Sequence, residues 1–296
     1  MRAGQASRTA GQNALFRALE ARCPPGVRIA DDELAVQFLT PQYRVLAELA
    51  RVPALRRLIE GVIDHRWPRA RGGVVVRTQL LDDAISRELP HVRQVLILGA
   101  GFDTRAHRLP GMQGVRVFEV DHPATQRAKQ RALLRSAGLP PHVTFVPVVF
   151  GRDDPAEALE ATGFAAEAPT LVVWEGVTNY LEGEAVDATF TFLASVLGTG
   201  SPVFFTYVHR GILDGSVAFE GAATTMRAVG HVGEPFTFGF DPPELPAYVG
   251  ARGFELVRDV PVSEADVPDS AAGRRPKAPA YYHVAELRKV ERAARR

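Results

Sequence analysis

Cysteine is almost absent: Cys23 stands alone among 296 residues. A single thiol excludes an intramolecular disulfide and any cysteine-cluster metal site, and it suits a chain kept in a reducing cytoplasm. An excess of one charge is missing as well. Lysine and arginine number 35 against 34 acidic residues, a net charge of +1, without the basic surplus of a dedicated nucleic-acid binder. No stretch approaches the ~20 apolar residues that span a bilayer, and residues 1–10 carry Arg2 and Arg8 with no apolar run of signal-peptide length behind them. Neither export nor membrane insertion is expected. Internal repeats and low-complexity segments are lacking too. What is present, 46% hydrophobic and 23% charged residues, is the composition of a globular enzyme. The length suits one large α/β unit with an added helical part, and a small molecule is the expected partner.

Periodicity divides the chain. Residues 1–90 read as helical throughout, because Leu55, Leu58, Ile59, Val62 and Ile63, then Leu81, Ile85 and Leu89, recur at helical spacing. From Val92 the pattern changes to short apolar runs at 95–98, 115–120, 143–149, 171–174 and 203–208, separated by helical stretches. Such alternation predicts a parallel sheet. Ala124, Ala128 and Ala132 mark the buried face of one connecting helix, with Arg127, Lys129, Arg131 and Arg135 on its other face. Val186, Phe190, Leu193 and Leu197 mark another. Asp241, Pro242, Pro243 and Glu244 form a helix-start pattern, and 254–260 and 281–285 complete a seven-stranded sheet. The glycine-rich span at about 209–240 breaks the alternation and is expected to form a lid over the carboxyl ends of the strands. The division is thus a helical cap at 1–90 followed by an α/β domain at 91–296.

Three segments carry chemistry. The run from Val95 to Arg105, VLILGAGFDTR, is a buried strand entering a glycine turn and then a helix. Gly99 and Gly101 let the backbone approach a ligand, and the helix start offers free N–H groups to an anion. A third glycine of the dinucleotide pattern would fall at Thr104, which argues against a nicotinamide cofactor. A tight turn with no ligand remains the alternative. Asp121 stands 22 positions after Gly99, near the ~20 expected of a carboxylate that holds a ribose diol. Asp121 and Glu119 share a strand face, with Asp121 nearer the crevice; a helix N-cap is its other reading. Glu175 leaves an apolar strand at 171–174 and needs a partner, since an unpaired buried carboxylate is costly. The amino group of a cofactor, a helix cap or a salt bridge to the helical part would each supply it.

Ser7-Arg-Thr-Ala10, Gly99-Ala-Gly-Phe-Asp-Thr-Arg105, Phe118-Glu-Val-Asp-His-Pro123 and Glu175-Gly-Val-Thr-Asn-Tyr-Leu181 together resemble the leucine carboxyl methyltransferase family. The likeness is strongest to its bacterial branch of small-molecule O-methyltransferases, to which Glu234-Pro-Phe-Thr-Phe-Gly-Phe240 is also similar. The resemblance implies a Rossmann-like methyltransferase sheet of seven strands with an N-terminal helical cap, and S-adenosyl-L-methionine as cofactor. It implies Arg77 on the methionine carboxylate, Gly99 and Gly101 beneath the methionine chain, Asp121 on the ribose and Glu175 at the amino group. Bacterial relatives commonly place an acid where this chain has Val149, so the adenine contacts fall to Phe150, as a ring cover, and Asp153, as an acceptor.

The expected activity is methyl transfer to a carboxylate or hydroxyl of a small organic acceptor, such as a polyketide or other secondary metabolite, with no metal. Orientation behind the methyl carbon supplies much of such a rate. A carboxylate needs no base, whereas a hydroxyl gains from one. Tyr180, Tyr207 and His209 are the catalytic candidates, with His231 beside them; packing or solvent exposure is the other reading of each. Phe219, Phe236, Phe238 and Phe240 would suit a hydrophobic acceptor or simply pack the lid. The alternatives are a nicotinamide-dependent oxidoreductase, and a cyclase or binder that holds the cofactor without transferring methyl.

Overall fold

A computed structural model of the chain describes residues 8–150, 152–231, 233–271 and 273–291. Seven strands form one sheet: β1 (Gln94–Leu98), β2 (Arg116–Asp121), β3 (Val143–Pro147), β4 (Thr170–Trp174), β5 (Pro202–Val208), β6 (Phe254–Pro261) and β7 (Tyr282–Lys289). Their order is β3-β2-β1-β4-β5-β7-β6. β1 to β5 pair in parallel, and β7 runs antiparallel to both its neighbours. The chain moves outward from β1 to β3, then returns to place β4 against the other side of β1. The carboxyl ends of β1 and β4 therefore flank the switch point at which open α/β sheets leave a crevice.

The sheet is covered on both faces, which is why β1, β4 and β5 are buried along their whole lengths. Side chains alternate across it. Val95 and Ile97 join the core beneath helix α4 (Ala70–Glu88), together with Leu81 and Ile85. Leu96 and Leu98 join the opposite core with Phe190 and Leu193 of α8 (Gly183–Val196).

Before β1 the described residues hold helices alone. They are α1 (Arg8–Ala21), a 3-10 turn at Glu33–Phe38, α2 (Pro41–Leu49), α3 (Pro53–Arg66), α4 and a 3-10 turn at Leu89–His91. Between the later strands lie α5 (Arg105–Arg108), α6 (Pro123–Leu134), α7 (Pro155–Glu160) and α8, with α9 (Gly211–Asp214) and α10 (Ala222–His231) in the span after β5 and α11 (Leu245–Gly250) before β6. No helix among the described residues is long and apolar enough to cross a membrane.

Two helix faces differ from the sequence pattern. Leu55, Leu58 and Val62, spaced like core residues, are 38%, 65% and 61% exposed, because only the Arg56 and Ile63 side of α3 meets the rest of the chain. Lys129, assigned by spacing to the charged outer face of α6, is instead buried, with its ammonium 2.6 Å from the Glu119 carboxylate on β2. Asp154, one of the charges in the loop after β3, caps α7 by accepting the Ala156 N–H at 2.7 Å.

Candidate active site

A cavity of about 650 Å³ opens at the carboxyl ends of β1, β2 and β4. Its floor is the turn after β1. Gly99 and Gly101 have φ of 63° and 47°, and the Gly99 and Ala100 N–H groups fold onto the Val120 carbonyl at 2.8 and 3.1 Å. A Cβ on Gly99 would lie 2.3 Å from Val177 Cγ2, so only glycine fits there. This packing brings bare backbone to the cavity wall.

Asp121 ends β2 at that wall. One of its oxygens accepts the Gly101 N–H and the other the His122 N–H, the latter at 2.5 Å. Burial pushes its carboxyl up from the usual range, against those two donors. Each carboxylate oxygen accepts more than one hydrogen bond, so Asp121 keeps acceptor capacity toward the cavity it lines.

At the end of β4, Glu175 is held between two arginines: Arg77 Nε of α4 donates to one oxygen and Arg105 Nη1 to the other, each at 2.6 Å. Arg105 also meets Asp103 at 2.6 Å and Asp82 at 2.7 Å, and Arg108 meets Asp82 at 2.6 Å. Burial alone would raise the Glu175 carboxyl, but Arg105 and Arg77 overcome it and hold the group well below the ordinary carboxylate range. The guanidiniums of Arg77 and Arg105 are correspondingly held charged. The result is a charge-balanced lattice of three arginines and three acids, of which all but Asp82 line the cavity.

The roof comes from elsewhere in the chain. Glu234, in the span after α10, accepts the Arg8 and Thr9 N–H groups at 3.1 Å each, and the Thr9 hydroxyl as well. The acid thus holds two backbone N–H groups of α1 and one of its hydroxyls. The bond ties α1 to the segment Gly233–Thr237 above the cavity, and residues of both line it.

The structure gathers Arg77, Gly99, Gly101, Asp121, Phe150, Glu175 and Tyr180 around this one space. Asp153 stays outside it, because its carboxylate turns back to accept the Val149 N–H at 2.8 Å; Val149 and Phe150 form the wall there instead. Tyr207 also points away. It is fully buried in the core below, donates to Asp259 at 2.6 Å and stacks on His283. His209 accepts the Gly211 N–H at 3.0 Å beside Asp241 and is not part of the cavity lining, nor is His231, exposed at the end of α10. Burial pushes the hydroxyls of Tyr180 and Tyr207 well up. Both are therefore neutral donors near neutral pH, not bases.

Sequence reasoning passed over Arg105, Asp82, Arg108 and the Thr9–Glu234 contact. Arg105 stands inside the glycine segment itself, and the need of Glu175 for a cation was the signal that would have found it. Thr9 and Glu234 are 225 residues apart, and no local pattern joins them.

The order of the sheet, its reversed seventh strand and the cavity at the switch point define the Rossmann-like methyltransferase architecture. Two solved structures share it: a DUF574 family protein of Streptomyces avermitilis (16% identity, 96% of this chain and 98% of that one, TM-score 0.62) and a provisionally described methyltransferase of Thermobifida fusca (17%, 98% and 97%, TM-score 0.60). The model of the family "Leucine carboxyl methyltransferase" matches residues 10–194, and the chain belongs to that family. A Mycobacteroides abscessus protein provisionally described as an S-adenosyl-L-methionine-dependent methyltransferase is 32% identical over 86% of this chain and 81% of its own length. A Mycolicibacterium gilvum protein with the same description is 39% identical over 61% of this chain and 56% of its own length. The chain spans little more than half the length of the first curated relatives it matches.

Proposed function

We propose that this chain is an S-adenosyl-L-methionine-dependent O-methyltransferase that acts on a small organic acceptor, a secondary metabolite such as a polyketide. The observation that carries the reading is the spacing of polar groups around one cavity: the Arg77–Glu175 pair at the end of β4, the bare glycine turn, and Asp121 at the end of β2. A cofactor with an amino-acid end and a ribose end finds a complement for each. Arg77 uses only Nε on Glu175, which leaves its terminal nitrogens for a carboxylate. Glu175 would face the amino group, Asp121 the ribose hydroxyls, and Phe150 the base.

When bound, this cofactor supplies a methyl group already activated on a sulfonium. The protein's part is then to orient and to exclude water. The segment Gly233–Thr237, latched to α1 by Glu234, acts as part of the lid at 209–240. Tyr180, kept protonated by burial, donates a hydrogen bond that positions the acceptor.

Calorimetric titration with S-adenosylhomocysteine tests the reading. Saturable binding that Asp121→Ala abolishes is expected, and unchanged affinity in that variant overturns the site. Incubation with labelled cofactor and a panel of acids and phenols then identifies the acceptor from product mass, with base lability marking an ester.

A further inference from the structure

A second chamber, of about 80 Å³, adjoins the large cavity. Thr9, Asn13, Arg77, Gly176 and Tyr180 belong to both walls. Behind that shared wall the lining turns aromatic, with Phe16, Trp67, Phe236, Tyr281 and Tyr282. Tyr180 and Phe236 meet edge to face, with centroids 5.3 Å apart, the geometry that aromatic rings prefer.

We propose that this chamber seats a single uncharged aromatic ring of the methyl acceptor. The inference rests on the assignment of the larger cavity to the cofactor. Three observations carry it. At about 80 Å³ the chamber is smaller than the ~150 Å³ apolar cavity that takes up benzene, so it has room for no more than one ring, which enters by way of the shared wall. Any further ring or branch of the acceptor lies outside the chamber, in the larger cavity, and the inserted ring points its free edge toward the cofactor space.

Charge gives the second argument. Among the described residues Arg77 is the one basic side chain in the lining; it holds Glu175 at 2.6 Å with its guanidinium over the Tyr282 ring, and its terminal nitrogens are taken by the cofactor's carboxylate in the proposed complex. Among the described residues no carboxylate and no histidine line the chamber. An ionised group pushed inside would lose its water with no counter-charge to replace it. Thirdly, the polar atoms that remain are neutral: Tyr281 donates to Thr225 at 2.8 Å, and Asn13 and Gln12 present amides from α1. Such groups read a hydroxyl or ketone on a ring without demanding charge.

The test uses the full chain saturated with S-adenosylhomocysteine, and 4-methylphenol and benzoate as probes at neutral pH, where the first is uncharged and the second ionised. Ala228→Trp and Ala70→Phe fill the chamber from positions that do not line the cofactor cavity. Saturation-transfer NMR should show 4-methylphenol bound and benzoate not. Either filling variant should weaken the phenol by about tenfold or more, one ring's worth of apolar contact, with S-adenosylhomocysteine affinity unchanged. Undiminished phenol binding in both variants overturns the proposal, as does benzoate binding as tightly as the phenol and being lost in the same variants. Failure of S-adenosylhomocysteine to bind at all overturns the cofactor assignment instead, and titration of the unloaded protein with 4-methylphenol still decides the chamber.

Discussion

Arg77 Nε lies 2.6 Å from Glu175 Oε1, and this bond joins the last long helix before the sheet to the end of its central strand. With the pairs that Arg105 and Arg108 make to Asp82 of α4, it couples the helical part to the sheet through opposite charges at the wall of the cavity. Glu175→Gln would leave Arg77 and Arg105 buried with one carboxylate fewer. Removing one partner of a buried pair costs about 3–5 kcal/mol, and the expected result is a destabilised protein with weakened S-adenosylhomocysteine binding. Urea unfolding and calorimetry together check it. A variant of unchanged stability would show that Arg105 finds enough compensation from Asp82 and Asp103 alone.

Lys129 and Glu119 form a second buried pair, both side chains 1% exposed and 2.6 Å apart. Burial pushes the Glu119 carboxyl up to about 7, although Lys129 opposes the shift. Lys129→Met alone strands the acid in the core and is expected to cost about 3–5 kcal/mol, whereas Lys129→Met with Glu119→Leu should recover most of that loss, since apolar groups can replace a buried pair at little cost. Denaturant midpoints of the two single variants and the double variant make the cycle. Additive effects would mean that the two groups do not interact.

The legible parts of the fold were those written locally. The strands β1 to β5 announce themselves as apolar runs, and the turn at Gly99 and Gly101 as a break between a strand and a helix. Asp121 and Glu175 could be read because each closes a strand, which places it at the carboxyl edge whatever the rest of the chain does. Lys129 could not, because periodicity assigns a cation to solvent unless the acid beneath it is known, and Glu119 sits on a strand ten residues earlier. Leu55, Leu58 and Val62 failed for the converse reason: helical spacing says which side chains share a face, not whether anything covers it. Tyr207 is a period-2 error of destination. It follows a strand toward the right edge of the sheet, but its hydroxyl is satisfied by Asp259 on β6, beneath the site.

His107 offers a pH-dependent readout. Among the described residues neither ring nitrogen has a hydrogen-bond partner, and burial, aided by Lys129 and His142, pushes the imidazole down from 6.5 to about 4. The unfolded chain therefore binds a proton more readily than the folded one between those values. The stability associated with a neutral His107 is fully present above pH 6.5 and is lost as the pH falls toward about 4. His107→Leu removes the ionisable group and leaves no unpaired polar atom. It should match the parent at neutral pH and lose less stability on acidification through that window, as followed by thermal unfolding. A parallel pH dependence in both proteins would sink the assignment.

Gly99 and Gly101 look alike in sequence and differ in what surrounds them. Both have positive φ, so alanine at either costs roughly 1–2 kcal/mol of backbone strain. At Gly101 the added methyl meets the Ala10 side chain at 3.6 Å and the Gly99 carbonyl oxygen at 3.7 Å, ordinary contacts, whereas at Gly99 it meets Val177 Cγ2 at 2.3 Å. The second clash adds an overpacking penalty of about 1–3 kcal/mol and pushes Val177, a cavity-lining residue, out of place. Gly99→Ala should thus lose more stability and more S-adenosylhomocysteine affinity than Gly101→Ala. Adding Val177→Ala to Gly99→Ala should return the packing part of the loss and leave the backbone part. Paired unfolding and titration curves separate the two contributions, and equal losses at both glycines would mean that Val177 moves aside freely.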